Sequence, residues 1–559
     1  MDNSQLILSD RYTLRKTSVL IEKALKNDPK LKTGIFLDNN KKLKGIITLG
    51  DIRRYINNFD PNTNISKLIN KNPITCKPLE LDNNLNNLIK NQLQLKRLKN
   101  IDDIIVINEK KKFLRTLEYQ EVLNNSHYKN ICIVGLGHIG LTLSIHLLKY
   151  FSNINGVDIS KKKVENIKKN RLVFYERNLE GFLKNALKKN NLKLHNHLSA
   201  TKSQIYIVCV GTDISNKNKP NNNNLFKIFK DLSKKIKKGD ILIARGTLQL
   251  GVSNFLVKLI EKVSKLKCGD DFYFSYMPER IIEGNALDEL EKIPQIISGH
   301  SVNCLKKINE FSSKCFKNVV NVSSLEEAEI IKLASNSFRD INFAFSNEIT
   351  RIANNFKLSG HDLIKKANFG YERNAIKLPS IGVGGFCLPK DPYLFSEFYN
   401  SNISGYKLAK NSREINDMSY EILFKKINKF RSETKTNKLK ILILGIAFKG
   451  FPETIDIRNS PSIFVFNQLK RKHNVKLYDN LGIKILKNNL NLKRNISLKI
   501  KKIDEFDLVI CMNNHKSYGE LIEKNISINS TKKRKMLIDV WELVDKNFIE
   551  SYKWLYQKI

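Results

Sequence analysis

Apolar and polar positions change register twice along this chain, and each change marks a different kind of unit. In the first stretch, two short apolar runs at residues 34–37 and 43–48 are separated by the polar turn Asp38-Asn39-Asn40 and followed by a helix start at Gly50-Asp51-Ile52. Short apolar runs bounded by turn residues predict strands. A weaker echo follows, with runs at 104–107 and 114–117 around a turn at Asn108-Glu109, so the chain up to about residue 125 reads as an internal duplication. From Lys129 the pattern becomes one of buried strands alternating with amphipathic helices: 131–134, 154–157, 205–210, 241–244 and 273–276 are all apolar runs. Near-continuous apolar strands spaced by helices predict a parallel sheet covered on both faces. Helical periodicity over 325–354 and again over 408–430 predicts two long helices, and strands at 440–444, 475–478, 508–511 and 536–540 predict a second α/β unit. The fold class is therefore α/β: two Rossmann-like doubly wound domains joined by a long central helix, preceded by a small α+β domain. The expected boundaries are 1–125, 128–325, 326–435 and 436–559.

Composition narrows the function classes. A length of 559 residues is too great for one core and agrees with three or four domains. No apolar run approaches the ~20 residues of a membrane span, and the start of the chain lacks a basic segment followed by an apolar one, so a cytoplasmic protein is expected. The net charge of +42 comes from lysines scattered through every segment, with no basic tail and no aromatic-interleaved stripe. That pattern argues against nucleic acid as a partner and for easy attraction of anionic small molecules. The eight cysteines include no C-x-x-C pair, so neither a metal site nor a disulfide framework is expected.

Three groups of residues carry chemistry. Gly135-Leu136-Gly137-His138-Ile139-Gly140 follows a strand and opens a helix, and Asp158 ends the next strand 18 residues past Gly140. Glycines at that spacing allow a tight turn and close approach of a pyrophosphate to a helix N-terminus, and an acid at that point accepts from ribose hydroxyls and favours NAD over NADP. Thr212 and Thr247 sit just past strand ends, where doubly wound sheets bind ligands, while residues 215–224 read as a surface loop without chemistry. Glu329, Lys332, Asn336 and Arg339 fall at spacings of three and four on one helical face. Finally Gly382-Val383-Gly384-Gly385-Phe386-Cys387-Leu388-Pro389-Lys390-Asp391 combines a thiol with free backbone approach, a cation and a carboxylate, the ingredients of a covalent site.

Together and in this order, GxGxxG with its acid, Pro278-Glu279, Glu329-x-x-Lys332-x-x-x-Asn336, the cysteine loop, Gly445-Ile446-Ala447-Phe448-Lys449 and Asp456-Ile457-Arg458-Asn459-Ser460-Pro461 resemble the UDP-glucose/GDP-mannose dehydrogenase family. The resemblance implies four-electron oxidation of a nucleotide sugar at C6 by two NAD, through a thiohemiacetal and a thioester on Cys387, for surface polysaccharide precursor synthesis; the alternative is a nucleotide-sensing scaffold with an inactive dehydrogenase fold. It implies a catalytic set of Cys387, Lys332, Asn336, Asp391, Glu279 and Thr247. NAD would be held by Gly135, Gly137, Gly140, Asp158, Lys163, Thr212, Thr247, Lys390 and Arg458. The sugar nucleotide, a UDP-N-acetylhexosamine or UDP-glucose, would meet Glu279, Lys332, Asn336, Gly385, Phe448 and Lys449. Arg373 resembles the arginine that reaches a neighbouring subunit's sugar site, and the region after the cysteine loop implies a homodimer or larger homo-oligomer. Where relatives carry a Tyr/Phe-Glu-Pro-Gly turn, this chain has Phe174-Tyr175-Glu176-Arg177, and only the glutamate persists. In the first unit, residues 45–51 resemble a CBS module and the pair a Bateman domain, which implies an adenine nucleotide at Thr48 and Asp51; the second copy keeps Thr116 but has Tyr119 in place of the acid.

Overall fold

The computed structural model describes residues 6–27, 32–77, 103–118, 130–373, 375–400, 407–528 and 533–559. Tyr119 and the expected boundary near residues 125–128 lie outside them. The chain divides into two compact units, residues 1–129 with 149–152, and residues 130–148 with 153–559.

The first unit repeats one strand pattern. In the first sheet β1 (Leu6–Leu8) pairs parallel with β2 (Thr33–Leu37), which pairs antiparallel with β3 (Leu43–Thr48); helices Leu14–Asn27 and Leu49–Ile56 accompany them. In the second, β4 (Thr75–Cys76), β5 (Asp103–Ile107) and β6 (Phe113–Glu118) repeat the same order and sense. The duplication extends to the turns. Asp38 Oδ1 accepts from the Asn40 and Lys42 amides, and Asn108 Oδ1 from those of Lys110 and Lys112. Lys41 and Lys111, at φ +62° and +59°, close the turns in the left-handed region. The two turns also exchange backbone bonds, Phe113 N to Lys41 O at 3.0 Å and Leu43 N to Lys111 O at 3.4 Å.

The second unit holds two parallel sheets. In the first, β7 (Ile131–Val134), β8 (Ile154–Val157), β9 (Leu192–His195), β10 (Ile205–Val208), β13 (Ile241–Ala244) and β14 (Tyr273–Tyr276) are ordered β14-β13-β10-β7-β8-β9. The strand order reverses between β7 and β10, and that is where a doubly wound sheet leaves a crevice for a dinucleotide. A hairpin of β11 (Asp213–Ile214) and β12 (Pro220–Asn221) and a parallel pair of β15 (Gln295–Ile297) and β16 (Val319–Asn321) flank it. The second sheet, ordered β18-β17-β19-β20-β21, comprises β17 (Lys440–Leu444), β18 (Asn474–Tyr478), β19 (Leu508–Cys511), β20 (Met536–Asp539) and β21 (Leu555–Gln557). Its strands are buried on both faces: Ile441 and Ile443 pack in one core with Phe430 and Phe466, Leu442 and Leu444 in another with Tyr518 and Trp554. Alternate residues of one strand feeding two cores is why these runs read as continuously apolar.

Between the sheets runs helix Leu325–Asn355, 31 residues and so about 46 Å long, its N-terminus capped by Ser324 accepting from the Glu327 amide. The helix expected over 408–430 is two helices, Lys407–Met418 and Tyr420–Glu433. Ser419 interrupts them: its Oγ donates to Asn416 O at 2.6 Å and accepts from Gly382 N at 2.7 Å, so the break anchors the start of the cysteine loop. Among the described residues no helix is long and apolar enough to cross a membrane.

Candidate active site

The glycine turn after β7 divides its labour by position. Gly135 has φ +93°, where only glycine is unstrained, and a Cβ there would come within 2.8 Å of Val210. A Cβ on Gly140 would lie 1.9 Å from Gly135 O, so helix His138–Leu147 packs directly on the turn. Gly137, the N-cap of that helix, faces open space, which is what a diphosphate approaching the free backbone amides requires. Asp158 is nearly buried; its Oδ2 accepts from Leu136 N at 2.9 Å and from Lys163 Nζ at 2.7 Å, and its Oδ1 from Ser160 N. The acid therefore braces the turn and is held by Lys163 at the point where a ribose would meet it. These residues fit NAD.

Across the crevice Thr212 and Thr247 are stitched together, Thr212 N donating to Thr247 O at 2.7 Å. The Thr212 hydroxyl donates to Asn222 Oδ1 (2.7 Å) and accepts from Gln249 N (3.0 Å), and Asn222 Nδ2 donates to Gln249 Oε1. Asn222 lies in the stretch expected to be an inert surface loop; it is buried, and it fixes Thr212. Its polarity hid it, because a sequence does not say which asparagine of an asparagine-rich loop turns inward.

The central helix and the cysteine loop meet next to this crevice. Asn336 Nδ2 donates to Asp391 Oδ2 at 2.6 Å, and Lys390 Nζ pairs with Asp391 Oδ1 at 2.9 Å while donating to Thr212 O at 3.1 Å. Helix Asp391–Ser396 starts where the Lys390 and Asp391 amides both donate to Cys387 O, which fixes the thiol's backbone. Burial pushes the Cys387 thiol above its ordinary value and Asp391 adds to the rise, while Lys332, Lys390 and Arg458 oppose it. The resting cysteine is thus a thiol surrounded by three cations that favour its ionisation when a proton acceptor is at hand.

The loop is wedged against the second sheet's domain. Gly385, at φ +92°, donates to Arg458 O and accepts from Asn459 Nδ2, and a Cβ there would meet the Phe448 ring at 3.0 Å. Arg458 pairs with Asp456 at 2.6 Å and lies 4.7 Å over the exposed Phe386 ring. Lys449 donates to Glu283 O at 2.6 Å, and burial brings its ammonium down to about 8 despite the opposing Glu283 charge. Gly445 and Asp479 repeat the geometry of the first sheet: φ is +91° at the glycine, and the acid accepts from Ile446 N and Ala447 N.

Carboxylates meet in the turn after β14. Lys332 Nζ, almost wholly buried, donates to the backbone carbonyl of Glu279. The Glu279 carboxylate is taken up within the domain: Oε2 accepts from Arg245 Nη2 at 2.6 Å and Oε1 from the Arg280 and Ile281 amides at 2.7 and 2.8 Å. Glu283 is raised by burial, against His138 and the hydrogen bond from Thr454, whose Oγ1 lies 2.6 Å away. Glu176 receives Gly284 N, Ala286 N and His138 Nε2 at 2.8 to 3.0 Å, so this glutamate of the altered 174–177 turn ties the glycine-rich turn to the glutamate turn. Arg245 and Glu283 were legible only as single residues, because nothing in their local pattern states what they pair with across some 35 and 170 positions.

Arg373 is exposed in the turn after helix Gly360–Asn368, its guanidinium 4.8 Å over the Tyr371 ring. In the first unit Thr48 and Asp51 form a capping box on helix Leu49–Ile56: Thr48 Oγ1 accepts from Asp51 N, and Asp51 Oδ2 from Thr48 N at 2.9 Å.

A dinucleotide crevice opposite a cysteine flanked by lysine, asparagine and aspartate defines an NAD-dependent dehydrogenase. Residues 129–317 match the NAD binding domain of the UDP-glucose/GDP-mannose dehydrogenase family, 326–418 its central domain and 442–546 its UDP binding domain. The UDP-N-acetyl-D-mannosamine dehydrogenase of Campylobacter jejuni is 30% identical over 411 residues, covering 71% of this chain and 98% of that protein; that of Pyrococcus horikoshii is 30% identical over 358, covering 62% and 83%. Among solved structures, the P. horikoshii UDP-D-ManNAc dehydrogenase superposes with a TM-score of 0.66 at 24% identity, over 77% of this chain and 99% of that one, and the Staphylococcus aureus Cap5O enzyme with 0.62. The chain belongs to the UDP-glucose/GDP-mannose dehydrogenase family and is an NAD-dependent nucleotide-sugar dehydrogenase.

Proposed function

We infer that the protein oxidises the C6 alcohol of a UDP-N-acetylhexosamine, UDP-N-acetyl-D-mannosamine first, to the uronate, supplying an activated acidic sugar for surface polysaccharide. The convergence of Lys332, Asn336, Asp391 and the Cys387 loop is the observation that carries this reading, and the names of the relatives favour the N-acetylmannosamine sugar. When bound, NAD accepts the hydride that leaves C6 in each of two oxidations. The Lys332 ammonium steadies the charge developing on O6, and a water held by Asn336, Asp391 and Thr247 takes the hydroxyl proton. Once that water has released its proton, Cys387 adds to the aldehyde carbon and the thiol proton passes through the water to O6; the addition keeps the aldehyde from escaping. The O6 proton leaves by the same water in the second oxidation. After the second oxidation water attacks the thioester carbon; the C–O bond forms, the C–S bond breaks and the thiol regains a proton. Lys449 meets the diphosphate, Phe448 and Gly385 shape its pocket, Lys390 and Arg458 bound the cofactor side, and Glu279 takes part through the turn that it holds.

A homodimer completes this reading. Phe338, Phe345 and Ile352, spaced by seven on the central helix, are each more than half exposed, and Arg373 reaches from one copy toward the other's sugar. In the first unit, the duplicated strand pattern supports a paired module that takes an adenine nucleotide at Thr48 and Asp51 and adjusts the rate.

The test is NADH production from NAD and a panel of UDP- and GDP-sugars, with products weighed and the assay repeated with AMP, ADP and ATP. About two NADH per UDP-N-acetylmannosamine, and loss of uronate in Cys387→Ala with NAD binding retained, are expected. Undiminished uronate in that variant removes the covalent role; turnover of another sugar alone moves the substrate.

A further inference from the structure

Arg245 stands at the end of β13, only 1% exposed and among the largest fully buried side chains of the described residues. It lies outside every role given above. Its Nη2 donates to Glu279 Oε2 at 2.6 Å and to Gln295 Oε1 at 2.9 Å, its Nη1 to Met277 O at 3.4 Å, and its guanidinium sits 5.5 Å over the Phe316 ring. Burying a guanidinium costs several kcal/mol unless its partners are well placed, so a strand end that would otherwise be apolar keeps this charge against a gradient. What the charge holds is the turn after β14. Glu279 N donates to Arg245 O at 3.3 Å, so backbone and side chain of the arginine grip the same residue. The Glu279 carboxylate in turn folds the Arg280 and Ile281 amides around itself, which directs the Glu279 carbonyl onto the Lys332 ammonium and carries the chain on to Glu283. Glu283 O then accepts from Lys449. One buried arginine therefore stands directly behind the lysine assigned to the reacting oxygen, while Lys449 meets the chain four residues further on.

We propose that Arg245 is a positioning residue for the oxidation, acting through Glu279 to aim the Lys332 ammonium at the reacting oxygen. It touches neither substrate nor cofactor. The inference rests on the dehydrogenase reading above, and deepens it by naming what aims Lys332. A misplacement of about 1 Å in a group of this kind costs up to a hundredfold in rate, whereas substrate affinity, spread over many contacts, changes little.

The experiment compares wild type, Arg245→Met and Arg245→Lys, with rates counted per NAD-binding site so that any unfolded fraction drops out. In Arg245→Met kcat falls at least tenfold with KM for the nucleotide sugar within about twofold; Arg245→Lys, which restores a cation to Glu279, recovers most of kcat. An unchanged kcat per site in Arg245→Met, a loss carried by KM instead, or no recovery in Arg245→Lys overturns the proposal. If Arg245→Met does not fold, Arg245→Gln is read by the same criteria. Absence of turnover in the wild type on every nucleotide sugar strikes the parent reading instead, so the two failures are told apart.

Discussion

Lys449 shows how one side chain is set by its surroundings. Burial lowers its ammonium to about 8, and among the described residues its hydrogen bond is to the Glu283 carbonyl, so the charge stays available to an incoming diphosphate. The cation is present below that value and lost above it. With the free enzyme's titration governing kcat/KM, that parameter for the nucleotide sugar is expected to fall as pH rises through about 8, with kcat less affected, and Lys449→Met is expected to lower it and flatten the limb. A pH profile of initial rates decides: an alkaline limb that survives in Lys449→Met belongs to another group. At this scale the residue types were readable before the structure. Cys387, Lys332, Asn336 and Asp391 stood out by type and spacing, but Glu279 did not disclose that its carboxylate is spent on Arg245 and its own turn.

At the scale of elements, Glu329 couples the central helix to helix Val252–Ser264. Its two oxygens accept from Gly251 N at 2.7 Å and Ser253 N at 2.8 Å, capping that helix and steadying the loop that bears Thr247. Burial nevertheless raises the carboxyl to about 7 from 4.5. A folded-state value above the unfolded one means that the folded chain binds the extra proton between the two values. The associated stability is full below about 4.5 and is lost as pH rises through about 7, on the order of 3 kcal/mol at most. Thermal melts of wild type and Glu329→Gln from pH 4.5 to 8 are expected to show a difference that shifts in the variant's favour as pH rises. A difference independent of pH removes the effect. The strands were legible because each buried run was short, apolar and bounded. The break at Ser419 was not, since a serine in an amphipathic repeat is an ordinary helix residue until Gly382 arrives to bond it.

For the whole molecule, the exposed stripe of Phe338, Phe345 and Ile352 makes assembly the point to measure. Three large apolar side chains at a spacing of seven fall on nearly one face of a helix, where water is a poor neighbour. On the homodimer proposed above, with Arg373 serving the partner's site, Phe345→Glu is expected to shift the protein to monomer in sedimentation and to lower the rate at low protein concentration. A variant that stays dimeric with wild-type activity moves the interface elsewhere.

Local pattern along the chain was enough for the two glycine-turn sheets, the central helix, the duplicated strand pattern of the first unit and the residue types of the proposed reaction. Those follow from local periodicity and from the residue types that the proposed covalent oxidation requires: a thiol, a lysine and a carboxylate. The partners appeared only once the chain had folded: Arg245 behind Glu279, Glu176 across two turns, Asn222 beneath Thr212, Lys449 on Glu283. Periodicity reports which face of an element is buried. Which polar group meets which across a buried contact depends on distances between segments far apart in the chain, and those exist only once the core has closed.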